Sequence, residues 1–331
     1  MVQAEIIIIG AGVAGLMAGR RLAEVGRDVL ILDKGRRIGG RMASRREAGL
    51  LFNHGAQFVT AHSSIFAEIC ADAAKEGIMK IWLASGRDAA YSGQPSMRDI
   101  ASFIGADLPV HQQIEIEEIH KLDTGGFTLQ AKNTDAYHCQ HLLITAPAPQ
   151  TKRLLQGLSA KLAESADSAE YAPCWTVMAG LDKMPEGLQP VLSNTDIIGW
   201  ASCEASRPGA PASGAITIQA CAAYSGEFLE SAPEIVIADL LAAFAKQQNN
   251  LPLEWVYHRA HRWRFAKVMH PASPDAPFME HISENIVAVA GDWHPVSASP
   301  DRPASGGRAE EAVLSGYRAA NEMLAYLANP G

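Results

Sequence analysis

Cysteine is scarce and scattered in this 331-residue chain: Cys70, Cys139, Cys174, Cys203 and Cys221 include no Cys-x-x-Cys pair. That excludes a disulfide framework and gives no zinc site, so the thiols read as core packing or idle groups. Long apolar runs are also missing. Ile6 to Ile9 lacks a basic lead-in and runs straight into glycines, and Ile235 to Ala245 is interrupted by Asp239, so neither a secretory signal nor a bilayer span is expected. Nor is there an excess of positive charge. A formal charge of −8 gives no overall field to hold nucleic acid or an anionic membrane surface. The expectation is a cytoplasmic protein with no nucleic-acid, membrane or metal partner. Histidines such as His54, His62 and His111 form no HExxH or clustered pattern and read as surface or packing residues. No internal repeat or extended low-complexity segment is present.

What remains is enough for a large core: 48% of residues are hydrophobic. The length suggests about two domains. Glu5 to Ile9 is a β-branched run of the kind buried on both faces of a parallel sheet, Val13 to Val25 reads as a helix, and Asp28 to Leu32 as a second strand. Between the first strand and the helix lies Gly10-Ala11-Gly12-Val13-Ala14-Gly15. The first glycine permits a tight turn, the second lets the backbone approach a pyrophosphate, and the third lets helix and strand pack closely. Asp33 ends the second strand 23 residues after Gly10, where a carboxylate can accept from ribose hydroxyls, with Lys34 beside it. This is a dinucleotide-binding unit.

NAD and FAD share that unit. The next stretch, Arg36-Arg37-Ile38-Gly39-Gly40-Arg41-Met42, adds glycines and a cation beside the same pyrophosphate. With it the sequence resembles the flavin-containing amine oxidase superfamily, in which a GGR follows the acidic residue. Asn53-His54-Gly55-Ala56-Gln57-Phe58 is similar to the family's segment under the flavin, and Ile116-Glu117-Glu118-Ile119 to its adenine-side strand. Gly291-Asp292-Trp293 and the helix opening at Arg308-Ala309-Glu310-Glu311-Ala312 complete the pattern. The renalase-like branch is the best match, on Gly40-Arg41-Met42, Gly55 to Phe58, Ala146-Pro147-Ala148-Pro149-Gln150, His261-Arg262-Trp263 and Gly291-Asp292-Trp293. Two departures stand out: Glu311 replaces a common glycine, and the loop His294 to Gly307 is long and carries three prolines.

The resemblance implies an α/β fold, with a Rossmann-like FAD-binding domain of glutathione-reductase type and a second, mixed-sheet substrate domain. The first would be discontinuous, 1–72, 97–155 and 280–331, and the second 73–96 and 156–279. FAD would be bound without a covalent link, since no cysteine follows Cys221. Its site would use the residues quoted above, including Ala146, Arg308, Ala309, Glu310 and Ala312. The implied activity is oxidation of isomeric dihydronicotinamide dinucleotides to NAD(P)+, with oxygen as acceptor. An amine oxidase or desaturase, or a flavin-binding protein without turnover, are the alternatives. No catalytic acid or base is nominated, because hydride transfer to a flavin requires none.

Trp255 to Lys267 alternates as a strand, with His261 and Trp263 on one face and Arg262 and Arg264 on the other. It is either a packed strand with solvated cations or a wall of the substrate cavity. In the second case Arg262 is the favoured phosphate contact, with His261, Trp263 and Trp293 near the substrate.

Overall fold

The computed structural model describes residues 2–87, 89–297 and 305–328. β1 (Val2–Ile9), α1 (Val13–Ala23) and β2 (Val29–Asp33) form the expected first unit. A small hairpin, β3 (Arg45–Glu47) and β4 (Leu50–Phe52), precedes α2 (Ser64–Lys75), a second hairpin, β5 (Met79–Ile81) and β6 (Tyr91–Gly93), and α3 (Met97–Ile104). Ser63 caps α2 by accepting from the N–H of Phe66, and Ser96 with Asp99 forms a capping box on α3.

The stretch Val110 to Lys121 forms two strands, β7 (Val110–Gln112) and β8 (Ile116–Lys121). Gln113 takes a φ of 62°, and the N–H groups of Gln113 and Ile114 donate to Gly35 and Asp33, so the chain leaves the sheet at this point. β8 then pairs antiparallel with β9 (Phe127–Ala131), and β9 with β10 (Ala136–Ile144). The proline-rich stretch after β10 both ends the strand and starts α4 (Ala148–Leu155), with proline in the first turn where a missing N–H costs nothing. α5 (Ala160–Asp167) follows, then β11 (Glu170–Leu181), β12 (Val191–Thr195), β13 (Ile198–Cys203) and β14 (Ala215–Ala220). α6 (Ala222–Glu227), α7 (Pro233–Gln247), β15 (Trp255–His270), β16 (Met279–Ile282), β17 (Asn285–Val289) and α8 (Ala309–Ala328) complete the described chain.

The first sheet runs β16-β17-β10-β1-β2-β7, and within it β17, β10, β1, β2 and β7 are parallel. Ile6, Ile7 and Ile8 are fully buried because both faces of β1 are covered. Gly10, Asp33, Thr145 and Gly291 all lie at the carboxyl ends of parallel strands, the edge at which open α/β sheets bind ligands. The second sheet, β12-β13-β14-β11-β15, is antiparallel. One face packs on Val236, Leu240 and Phe244 of α7. The other meets residues 53–58 through the side chains of Ser202, Glu204, Gln219 and Trp263.

The β5–β6 hairpin, in the stretch expected to join the second unit, touches both. Met79 enters the core beside α1, α2 and α3, while Trp82 donates to the Ser206 carbonyl at 2.8 Å. Among the described residues, no helix is long and apolar enough to cross a membrane.

α8 packs along α1 at a glycine. A Cβ at Gly316 would fall on the backbone of Ala14, so nothing larger fits without moving a helix. Gly316→Val should cost about 1–3 kcal/mol by overpacking. The thermal midpoint should drop accordingly, while Gly226→Ala, where a Cβ meets nothing within 4 Å, leaves it unchanged or slightly higher.

Candidate functional site

A cleft of about 340 Å³ opens between the carboxyl edge of the first sheet and the second sheet. Its walls include Gly12, Val13 and Ala14 at the start of α1, Arg41 and Met42, Gly55 and Ala56, Gly291 and Asp292, and Arg308, Ala309 and Ala312 at the start of α8. Both ends of the chain therefore meet at one site.

The three glycines of the first turn divide the work. Gly10 has a φ of 110° and lies against Thr145, whose hydroxyl donates to the Gly10 carbonyl at 2.9 Å. At Gly15 a Cβ would strike the Gly10 carbonyl. Gly12 differs: a Cβ there would meet no protein atom within 4 Å, so the space it leaves open belongs to the cleft. Gly12 also caps α1 without a side-chain bond, and no acidic residue sits in the first helical turn. The first N–H groups of α1 thus face open space with the positive end of the helix dipole behind them, which fits a pyrophosphate. Gly40, with a φ of 49°, packs close to Gly12. Asp33 stabilises the same turn, accepting from the N–H groups of Ala11 and Gly35, both at 2.6 Å. Lys34 is exposed beyond it.

Arg41 and Asp292 form a two-pronged ion pair, both contacts at 2.7 Å, and Asp292 is 3% exposed. Arg41 also donates to the Ala266 carbonyl at 3.3 Å, while its own carbonyl accepts from the N–H of Ala56.

Several residues expected at the cofactor or substrate do not border the cleft. Glu310 is buried and accepts from the N–H groups of His62 and Ser63 and from the Ser63 hydroxyl, tying α8 to the cap of α2. Gln57 turns towards Arg207 and Ser202, Phe58 packs against Trp200, and Ile116 lies in the core beneath the first sheet. Ala146 uses its carbonyl to accept from the indole of Trp293, which is fully buried and out of reach of a substrate. Arg262 is the main correction: strand alternation sends it with Arg264 to the far face, where both pair with Glu230. Glu311 accepts from the N–H of Ser305, and half of the 294–307 loop, 298–304, lies outside the described residues.

Trp263 does line the cleft. Its indole donates to the His54 carbonyl at 2.9 Å, its ring stacks on the His54 ring at 5.5 Å, and His261 meets both edge-on. Burial pushes His54 down to about 3, helped by the His261, Arg45 and Arg98 charges, and burial with Arg45 and Arg259 brings His261 to about 4. Both imidazoles are neutral at physiological pH. His54 is thus a packing residue, 4% exposed.

The sequence pattern missed Thr145, Cys174, Gln219 and Lys267, which also line the cleft. Thr145 could have been found from its place after an apolar strand, as Gly10 was. The other three required the pairing of β11, β14 and β15. Cys174 is not simply a core thiol: it borders the cleft, and burial raises it to about 11, so it is protonated.

Two tests follow from this geometry. Gly12→Val should fold, with a thermal midpoint slightly below that of the FAD-free wild type because valine is a poorer cap than glycine, and fail to take up FAD, measured by flavin titration, because its side chain projects into the cleft. For pH, the unfolded histidines bind protons below about 6.5, whereas folded His261 and His54 do so only near 4 and 3. Stability is therefore retained above pH 6.5 and lost as pH falls towards 4. His54→Phe, which keeps the stacking, should show a shallower fall in thermal midpoint between pH 7 and pH 4 than wild type, with the remaining slope partly due to His261.

Residues 8–72 match the family model of the NAD(P)-binding Rossmann-like domain. Similar curated proteins include polyamine oxidase 7 of Oryza sativa subsp. japonica, 51% identical over 56 residues, which are 17% of this chain and 12% of that protein. Putrescine oxidase of Kocuria rosea is 37% identical over 59 residues, 18% of this chain and 12% of that one. The matched segments thus span about an eighth of those relatives. Solved structures extend the likeness to the whole chain. A putrescine oxidase double mutant has a TM-score of 0.65 at 13% identity, covering 98% of this chain and 99% of that one. A protein assigned as a protoporphyrinogen oxidase from Exiguobacterium has a TM-score of 0.69 at 11% identity, covering 97% and 98%. The chain thus has the fold of these oxidases, with a cleft whose open α1 N-terminus fits the pyrophosphate of FAD.

Proposed function

We propose that the protein is an FAD-dependent oxidoreductase that takes hydride from dihydronicotinamide dinucleotides reduced at the wrong ring position, returning NAD(P)+, with oxygen as the final acceptor. FAD, when bound, supplies the two-electron acceptor. The chain's part is binding, orientation and electrostatics. Gly12, the α1 N-terminus and Arg41 hold the pyrophosphate, while residues from both ends of the chain close around the rest of the cofactor. Trp263 offers a flat surface for a planar ring, and Gly55 and Ala56 form a wall without bulky side chains.

The observation that carries this choice of substrate is the charge of the cleft. Asp292 is the only carboxylate residue among its described lining residues, and Arg41 neutralises it; Arg308 is offset by Glu311 behind it at 3.9 Å, and Lys267 adds positive charge. The neutral pair His54 and His261 behind Trp263 brings no anion either. Such a cleft favours an anionic, planar substrate over a cationic diamine. The similarity to polyamine and putrescine oxidases favours amine oxidation as the second reading.

Anaerobic mixing of the FAD-loaded protein with isomeric dihydronicotinamide dinucleotides and with amines separates these. Rapid bleaching of the flavin by the 2- or 6-dihydro isomers, with regeneration on admitting oxygen, is expected. Bleaching by an amine alone would replace the proposal with the amine-oxidase reading, and no bleaching by any of them would leave a binding protein without this turnover.

A further inference from the structure

The segment 53–57 forms part of the cleft wall through Gly55 and Ala56, yet it is neither helix nor strand. Its backbone groups therefore need partners from elsewhere. The N–H of Asn53 donates to Glu204 at 2.8 Å, and the Asn53 amide side chain to the other Glu204 oxygen at 2.8 Å. At the other end, Arg207 donates to the Gln57 carbonyl at 2.6 Å and to the Gln57 side-chain oxygen at 2.7 Å. Gln57 in turn reaches back to the carbonyls of Asn53 and Gly55. Glu204 and Arg207 are bound to each other at 2.7 Å, and each is 4% exposed. The guanidinium also lies 4.2 Å above the Trp82 ring.

A buried ion pair is a weak source of stability, because desolvating two charges offsets most of their attraction. Here the remaining hydrogen-bonding capacity of both partners goes largely to the two ends of a five-residue segment, 53–57, that borders the cofactor cleft. We infer that the Glu204–Arg207 pair is a positioning device, a clamp from the second sheet that sets the height of Gly55 and Ala56 against bound FAD. The clamp acts through Asn53 and Gln57 and touches neither cofactor nor substrate. This rests on the reading of the cleft as an FAD site. It also accounts for Gln57, which the resemblance placed at the cofactor and the fold places behind it.

The test uses the full chain in wild-type form and as Arg207→Lys, which keeps the charge and loses the planar fork. A second variant, Gln57→Leu, leaves the ion pair and its bonds to the Gln57 carbonyl and to Asn53 in place and removes the side-chain arm of the link. Hydrogen–deuterium exchange is followed at the Asn53, Gly55 and Ala56 amides, and FAD affinity by titration. Both variants should exchange about tenfold faster at those amides and bind FAD about tenfold more weakly, while protection of the β1 and β10 amides stays as in wild type. Ser92→Ala, which removes a 3.3 Å contact to Arg207 and a 3.5 Å contact to the Gly93 carbonyl but none to the segment 53–57, should match wild type in both readouts. Wild-type exchange at these amides in a folded Arg207→Lys or Gln57→Leu protein would overturn the inference, as would weaker FAD binding without faster exchange. If the wild-type protein takes up no FAD, the functional reading fails, while the exchange measurement still decides whether the pair clamps the segment.

Discussion

Arg41 and Asp292 are 251 positions apart in the chain and meet in a two-pronged contact on which the closure of the cleft depends. Asp292 follows the last parallel strand of the first sheet, and Arg41 follows the second. Arg41 further touches the Ala266 carbonyl of β15 and, through its own backbone, Ala56. Four separate stretches are thereby gathered at one guanidinium. A carboxylate buried this deeply is tolerated only with such a partner, and removing either group would cost about 3–5 kcal/mol. The same pairing that satisfies Asp292 cancels the one carboxylate among the described lining residues of the cleft, with Lys267 beside it.

Legibility in the sequence followed the range of the interactions. The first βαβ unit, α2, α3, α7 and the glycine turn depend on local periodicity, caps and φ preferences, all of which are written within a few residues. α2 and α3 start where they do because Ser63 and Ser96 are strong caps. The break at Gln113 was not visible, because it is imposed by bonds to the turn after β2. The cleft divided in the same way: Gly12, Arg41 and Asp292 belong to recognisable motifs, whereas Cys174, Gln219 and Lys267 reach it only through sheet pairing. Arg262 shows the limit of chemical plausibility. The alternation correctly separated it from Trp263, but only Glu230 revealed which face was outside.

The second sheet uses its two faces differently. Towards α7 it is apolar and closely packed, the ordinary means of stabilising an antiparallel layer. Towards the cleft it carries Gln219, Ser202 and Trp263, whose polar atoms hold the irregular chain at 53–57, and Thr217, whose hydroxyl donates to Glu204. Rigid strands thus fix a segment that has no ladder of its own, and the cleft wall inherits the precision of the sheet.

The divided pairing of β10 bears on how the chain is made. Its first half, Ala136–Cys139, lies against β9, which is already synthesised when β10 emerges from the ribosome. Its second half, Leu142–Ile144, waits for Val287–Val289, which arrive some hundred and forty residues later. Throughout that interval the apolar edge Leu142-Leu143-Ile144 has β1 on one side and an unfilled row of backbone groups on the other. At translation rates of about 5–20 residues per second, the nascent chain carries an open sheet edge for about seven to thirty seconds. The dinucleotide unit is therefore encoded well before the strand that seals its sheet.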